Sequence, residues 1–497
     1  MDDNLDRIIS RRSFLRRGAC ASLGLAGLSS QLLASRTMAA TLQQQSFTDY
    51  RALVCVFLFG GNDNGNTLIP LNAEQTYADY ARGRDNLAIP RRYLRDTTIT
   101  PSNAGGATYA LHPALKHTRQ LFNQGNAALV ANVGTLLEPV TKQQWQRGGA
   151  SLPRQLFAHD QQAQQWQLSR PDARDGQGWG GRLADLLHDA ATTPDATVSM
   201  NISLAGTNQF LAGRHVVPYA LGPEGPPSIG HEEMSRQGQH QLRRAYMDML
   251  AATQDPHHPN RHAMVDAVRD VTQRALVANE QLERLLSKSS RLTPPDEETY
   301  EENELIHQLH AVARLIENAE QGLGHQRQIF FVALGGFDHH DGLVGAEYGE
   351  TDEDGNTWLG PHGELLRQLD DALAYFWDAL GTLNKRDAVT TFTASDFGRT
   401  FASNGKGSDH GWGAHHLVLG GSQLQGNRLV GTFPNLRVDG PDDTDEGRFI
   451  PTTAVDAYGH EFARWMGVPA SEMTTVFPNL NRFLDPRNPA THLGLLT

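Results

Sequence analysis

Six stretches of the chain run apolar without alternation, and each stops at small or polar residues. The run from Arg51 to Phe59 ends at Gly60 and Gly61, with Asn62 and Asp63 directly after. Ala127 to Gly134, Thr197 to Gly206, Gln328 to Gly336 and Ala388 to Ser395 read alike, and His416 to Gly421 is a shorter sixth. Continuous runs with β-branched and aromatic content predict strands covered on both faces. Between them the period changes. Leu365, Leu369, Leu373, Phe376 and Leu380 form one helical stripe, and Thr453 and Asp456 sit at capping-box spacing before another. Strands alternating with helices predict an α/β fold: a doubly wound, mostly parallel sheet with helices on both faces.

Residues 232–326 break that rhythm. They are charged, Gln-rich and helical in period, with an interruption at Ser287 to Glu298. The chain is thus expected to divide into a leader (1–40), a first part of the sheet domain (41–231), a helical insertion or cap (232–326) and a second part (327–497). The acidic stretch Asp439 to Arg448 reads as a solvated loop. Asp352 to Trp358 resembles a calcium loop, but its glycine is misplaced for an EF-hand.

Composition changes this picture in two ways. A net charge of −13 offers no basic surplus for a nucleic-acid partner. The leader places Arg11 and Arg12 ahead of Phe14-Leu15 and a Gly/Ser-diluted apolar stretch, too short and broken for a spanning helix. It resembles a twin-arginine export signal cleaved near Ala39 or Ala40, which implies a periplasmic or secreted protein with no transmembrane segment in the mature chain. Removing the leader takes away six Arg and three Asp, leaving −16, and takes Cys20 with it. Cys55 then has no partner for a disulfide within the chain.

The candidate chemistry lies where parallel sheets bind ligands, at the carboxyl ends of their strands. Asp63 follows the first run. Asp338, His339, His340 and Asp341 follow the fourth, and Asp396 and Arg399 the fifth. Asp409, His410, His415 and His416 come shortly after. Carboxylates mixed with imidazoles and no thiols suit zinc or manganese. Each residue has a plainer reading. Asp63 would otherwise serve as a turn cap, Arg399 as the ion-pair partner of Asp396 or a clamp for an anionic substrate, and His339 and His415 as exposed neighbours of other histidines. His112 and His159 read as structural. Phosphate-cradling loops, nucleophile elbows, HExxH and CxxC are absent.

The stretches "FLFGGNDNGNTLIP", "GGFDHHDG", "FTASDFGRT", "SDHGWGAHHLVLGG" and "GRFIPTTAVDAYGHEFARWMGV" together resemble the domain of unknown function 1501 family. That family is placed with alkaline phosphatases and sulfatases, whose doubly wound sheet carries a metal site at its strand ends. The resemblance implies one or two divalent ions, with Asp63 and Asp396 sharing one while Asp338, His340 and His410 hold the other. Arg399 would grip a substrate oxygen. It implies a hydrolase or transferase acting on small or polymeric phosphate or sulfate esters, or a non-catalytic, metal-containing envelope binding protein of the same fold. Two departures stand out. Phe397 replaces a histidine common after the third Asp, and Ala158 stands where the family carries Ser. Thr67, Thr135 and Thr141 are poor substitutes for a nucleophile.

Overall fold

The computed structural model describes residues 47–497 except 174–175, 223–224, 227–235, 253–262, 297–301 and 345–359. The leader and the calcium-loop-like stretch lie outside the described residues.

Twelve strands are described: β1 (Arg51–Leu58), β2 (Leu68–Asn72), β3 (Thr98–Ile99), β4 (Thr108–Leu111), β5 (Ala127–Gly134), β6 (Asn201–Ser203), β7 (Tyr219–Ala220), β8 (Arg327–Leu334), β9 (Val389–Ser395), β10 (Ala414–Leu419), β11 (Leu429–Val430) and β12 (Thr453–Ala454). The main sheet runs β11-β5-β10-β9-β1-β8-β6-β7, with β12 also paired to β5. Only β10 runs against its neighbours, β5 and β9. All six sequence-expected strands belong to this sheet. The doubly wound, mostly parallel architecture is therefore the observed one.

Alternation explains why the long runs are unbroken. Ala52, Val54, Val56 and Leu58 of β1 face one apolar core, and Leu53, Cys55 and Phe57 face the other. With both faces covered, no position of the strand is left for a polar residue. The first core is closed by the helices Lys116–Asn123, Glu304–Glu317 and Gly360–Leu383. The second is closed by Trp179–Ala191 and Val455–Met466. Cys55 is buried and unbonded. None of the described helices is long and apolar enough to cross a membrane.

Four details differ from the sequence reading. The described residues of 232–326 form the helices Arg236–Ala252 and Ala263–Leu286, but the α-helix Glu304–Glu317 is a layer of the main core. The helix Val455–Met466 starts without a side-chain cap, because Thr453 belongs to β12 and its hydroxyl donates to the Ala131 carbonyl at 3.1 Å. The acidic stretch is not simply solvated. Asp443 is fully buried and accepts backbone N–H bonds from Asp439, Asp445 and Gly447, which fastens the turn from inside. A second small sheet, β2-β4-β3, was not foreseen.

Candidate metal centre

The central strands β1, β8 and β9 are parallel and in register, so the segments that follow them leave the sheet side by side. Gly60 and Gly61 let those segments touch. Both have positive φ, of 112° and 80°. A Cβ on Gly60 would lie 2.5 Å from the Asp338 backbone nitrogen, and one on Gly61 2.6 Å from the Phe397 ring. No other residue type fits either place.

Into this junction come three imidazoles and a carboxylate. His340 and Asp338 follow β8, and His410 lies in the loop before β10. His159 is the first residue of the helix His159–Leu168. Their Nε2 atoms converge: His410 lies 2.8 Å from His340 and 3.0 Å from His159. Asp338 Oδ1 lies 3.1 Å from His340, 3.3 Å from His159 and 3.5 Å from His410. His159, Asp338 and His410 form a set whose ligand atoms all fall within 4.8 Å of one another. The four side chains are partly open to solvent.

Each ring is oriented from behind. The Nδ1 atoms of His159 and His340 lie 2.8 Å from Asp396 Oδ2 and Asp409 Oδ1, and His410 Nδ1 lies 2.5 Å from the Phe157 carbonyl. A carbonyl only accepts, so His410 carries its proton on Nδ1, and its Nε2 is a lone pair when the ring is neutral. That one lone pair accepts a proton from one neighbour, yet two other Nε2 atoms face it. A cation relieves the opposition for all three, and rear hydrogen bonds to carboxylate or carbonyl are the usual support of metal-binding histidines. The donor set fits a divalent ion of the zinc class.

Strain and charge serve the same cluster. Phe157 holds φ of +71°, a rare conformation for a bulky side chain, and presents its carbonyl to His410. The Phe397 ring stands 4.6 Å from His159 and 4.9 Å from His410, so the departure from the family pattern is a platform for the imidazoles. Burial tends to raise the Asp338 carboxyl, but its hydrogen bond with Arg399 overrides this and holds it below the ordinary range. The bond to Asp396 pushes His159 up, whereas burial pulls His410 down.

The expected residues thus separate into groups. Asp338, His340 and His410 converge as ligand candidates. Asp396 stands behind His159, with its Oδ2 also accepting from Gly60 N at 3.1 Å. Asp63 is engaged elsewhere: Oδ2 pairs with Arg84 Nη2 at 2.5 Å and Oδ1 caps the turn at Gly65. Instead of sharing an ion with Asp396, it neutralises a buried guanidinium. Burial pushes its carboxyl up, against the pull of Arg84. Arg399 pairs with Asp338 at 2.5 Å rather than with Asp396, and its side chain is fully enclosed with bonds to the Gly60 and Ser408 carbonyls. No guanidinium face remains for a substrate. His415 and His416 are buried in β10 and His112 is buried beside the small sheet, all three held neutral by burial at a pKa of about 3.

His159 reads as structural from sequence, and Asp409 as a candidate without a role; the structure brings both to the cluster. The signal for His159 was its place directly after Ala158, where the family's nucleophile is expected. Ala158 is the N-cap of the helix and supplies no capping side chain. The alternative hydroxyls are occupied: Thr67 donates to the Asp63 carbonyl, Thr135 accepts from Gln162, and Thr141 forms a capping box with Gln144. A cavity of about 640 Å³ between Leu136, Lys142, Asp442, Pro451 and Phe483 includes none of the cluster residues.

The model of the family "Protein of unknown function (DUF1501)" matches residues 50–444, and the chain belongs to that family. No curated protein matches it. Among solved structures, Ps i-CgsB overlaps at a TM-score of 0.33, and 0.32 in its complex with k-i-k-neocarrahexaose. Both show 12% identity and cover 88% of this chain and 78% of that one. The PsFucS1 sulfatase from Pseudoalteromonas sp. overlaps at 0.31 with 9% identity, covering 88% and 72%. Overlaps this loose decide neither fold nor chemistry.

Proposed function

We propose that this protein is an exported metal-dependent hydrolase or transferase of phosphate or sulfate esters. The observation that carries the reading is the convergence of three rear-braced imidazoles on Asp338 Oδ1. His159, His340, His410 and Asp338 would hold one divalent ion, zinc or manganese. Such an ion supplies Lewis acidity toward an ester oxygen and makes water a better nucleophile. The remaining roles fall to the chain. Asp396, Asp409 and the Phe157 carbonyl fix the imidazoles, and Arg399 keeps Asp338 ionised. The helix His159–Leu168 starts at the cluster, and its N-cap Ala158 makes no side-chain bond to the first N–H groups. The partly open setting suits a polymeric substrate as well as a small one.

Purified protein loaded with zinc or manganese should turn over at least one compound from a panel of phosphate monoesters, diesters and sulfate esters. Asp338→Ala should be inert on the same panel. Wild type with a full complement of metal and no turnover above that variant would overturn the enzyme reading. The runner-up is a non-catalytic, metal-containing envelope binding protein, favoured by Ala158 and by the enclosure of Arg399. Export by the twin-arginine route is tested separately: replacing Arg11 and Arg12 with Lys should retain the protein in the cytoplasm, and normal export of that variant refutes the route.

A further inference from the structure

A second group of polar atoms lies near the end of the chain, apart from the residues of the candidate centre. The helix Val455–Met466 is buried along almost its whole length and carries His460 and Glu461 at 0% exposure. Glu461 Oε2 accepts from the backbone nitrogens of Leu495 and Leu496, at 3.0 and 3.4 Å, and so holds the C-terminal segment against the helix. Its other oxygen, Oε1, has no hydrogen-bond partner among the described residues, and neither has either ring nitrogen of His460. The nearest approach between them, from His460 Nδ1 to Glu461 Oε1, is 3.6 Å, beyond hydrogen-bond length. His492 brings a second imidazole from the C-terminal segment. Its ring stands edge-on to His460 at 4.4 Å, and its Nε2 is also buried without a hydrogen-bond partner.

Four buried polar atoms from three side chains are thus left unsatisfied in one place. Each costs about 1–3 kcal/mol when desolvated with no partner, and more when charged. One ligand atom from each of the three residues falls within 4.8 Å of the others. Arg464 Nη2 donates to the Leu496 carbonyl and pairs with Glu461 Oε2 at 3.6 Å, which leaves Oε1 and the ring nitrogens without a hydrogen-bond partner among the described residues. A third such group, His117 with Asp370 and Asp371, lacks these orphaned atoms, because Asp370 caps the helix Lys116–Asn123 through the nitrogens of His117 and Thr118.

We propose that His460, Glu461 and His492 form a second divalent-metal site of the zinc class, which staples the C-terminal segment to the last core helix. Two imidazoles and one carboxylate are an established zinc donor set. The inference stands apart from the ester-hydrolase reading, because it shares no residue with the first cluster.

The test uses the leaderless protein, stripped of metal and dialysed against Zn²⁺ alone, with elemental analysis and thermal melts. An Asp338→Ala, His410→Ala double variant silences the first cluster. It should keep one ion per chain and melt higher with Zn²⁺ than without. Adding His492→Ala, at a half-buried position, should remove the tightly held ion and with it the zinc-dependent rise in melting temperature. Glu461→Gln provides a second variant of nearly unchanged shape and should do the same. A folded double variant that binds no zinc overturns the proposal, as does an ion count and melting shift untouched by both further substitutions. Loss of one ion in Asp338→Ala but none in His492→Ala would leave the first site standing and refute the second.

Discussion

Asp63 and Asp338 occupy equivalent places, each just beyond a central parallel strand, and they do opposite things. Asp63 is enclosed, with both oxygens engaged by Arg84 and Gly65. Asp338 is half exposed and presents one oxygen to three imidazoles. A strand-end carboxylate is therefore a position rather than a function. What separates the two is whether the neighbours satisfy the acid or leave ligand atoms facing one another.

The contrast breaks most sharply at Arg84. Arg84→Met would leave Asp63 buried and unpaired, and urea unfolding should show a loss of about 3–5 kcal/mol. Asp338→Ala, by comparison, should remove bound metal and cost about 1–3 kcal/mol in unfolding, because the enclosed Arg399 loses its half-exposed carboxylate partner but keeps the Gly60 and Ser408 carbonyls. Wild-type stability in Arg84→Met would disprove the pairing account.

Next in size is Asp456, a buried carboxylate with no ion-pair partner among the described residues. Burial raises its pKa to about 7. In the unfolded chain it returns to the ordinary value near 3.9, so the folded state holds the proton more tightly. That contribution is complete below about pH 4 and is lost as pH climbs through 7, a decline of at most about 4 kcal/mol. Asp456→Asn should flatten this part of the stability profile. An unchanged slope between pH 5 and 8 would show that another group titrates there.

Metal affinity sharpens the comparison further. His159→Ala should lose the tightly held ion, and Asp396→Asn, which loosens only the rear support, should weaken it by about 10–100-fold. Competition with a coloured chelator reads both. Equal affinities in wild type and His159→Ala would remove that histidine from the ligand set. The smallest effect is expected at Ala158→Ser, where a hydroxyl would cap the helix His159–Leu168 and raise stability by about 1 kcal/mol.

These distinctions explain how much could be read in advance. The central strands were legible because burial on both faces leaves an unbroken apolar run, as in β1 and β5. The β2-β4-β3 sheet was not, because β3 has two residues and β4 four, too few to show a period. Asp338, His340 and His410 were legible as residue types gathered at strand ends. His159 was not, since its meaning comes from Asp396 and His410, more than two hundred positions away. The capping box at Thr453 failed for the converse reason: a local pattern yielded to pairing with β5.

The placement of β1 bears on how the molecule is made. Ala52 lies between Gln328 on one side and Val389 on the other, so the central strand precedes both neighbours by most of the chain. During synthesis its apolar side chains must wait, open to misassociation, until β9 has left the ribosome. Contacts this distant make for slow folding. The histidines at 159, 340 and 410 are drawn together by the same late closure. A nascent chain stalled before His410 would lack one of the three convergent nitrogens, so tight ion capture reports that the chain has passed β9 and that loop. Zinc uptake during refolding should therefore track the slowest phase.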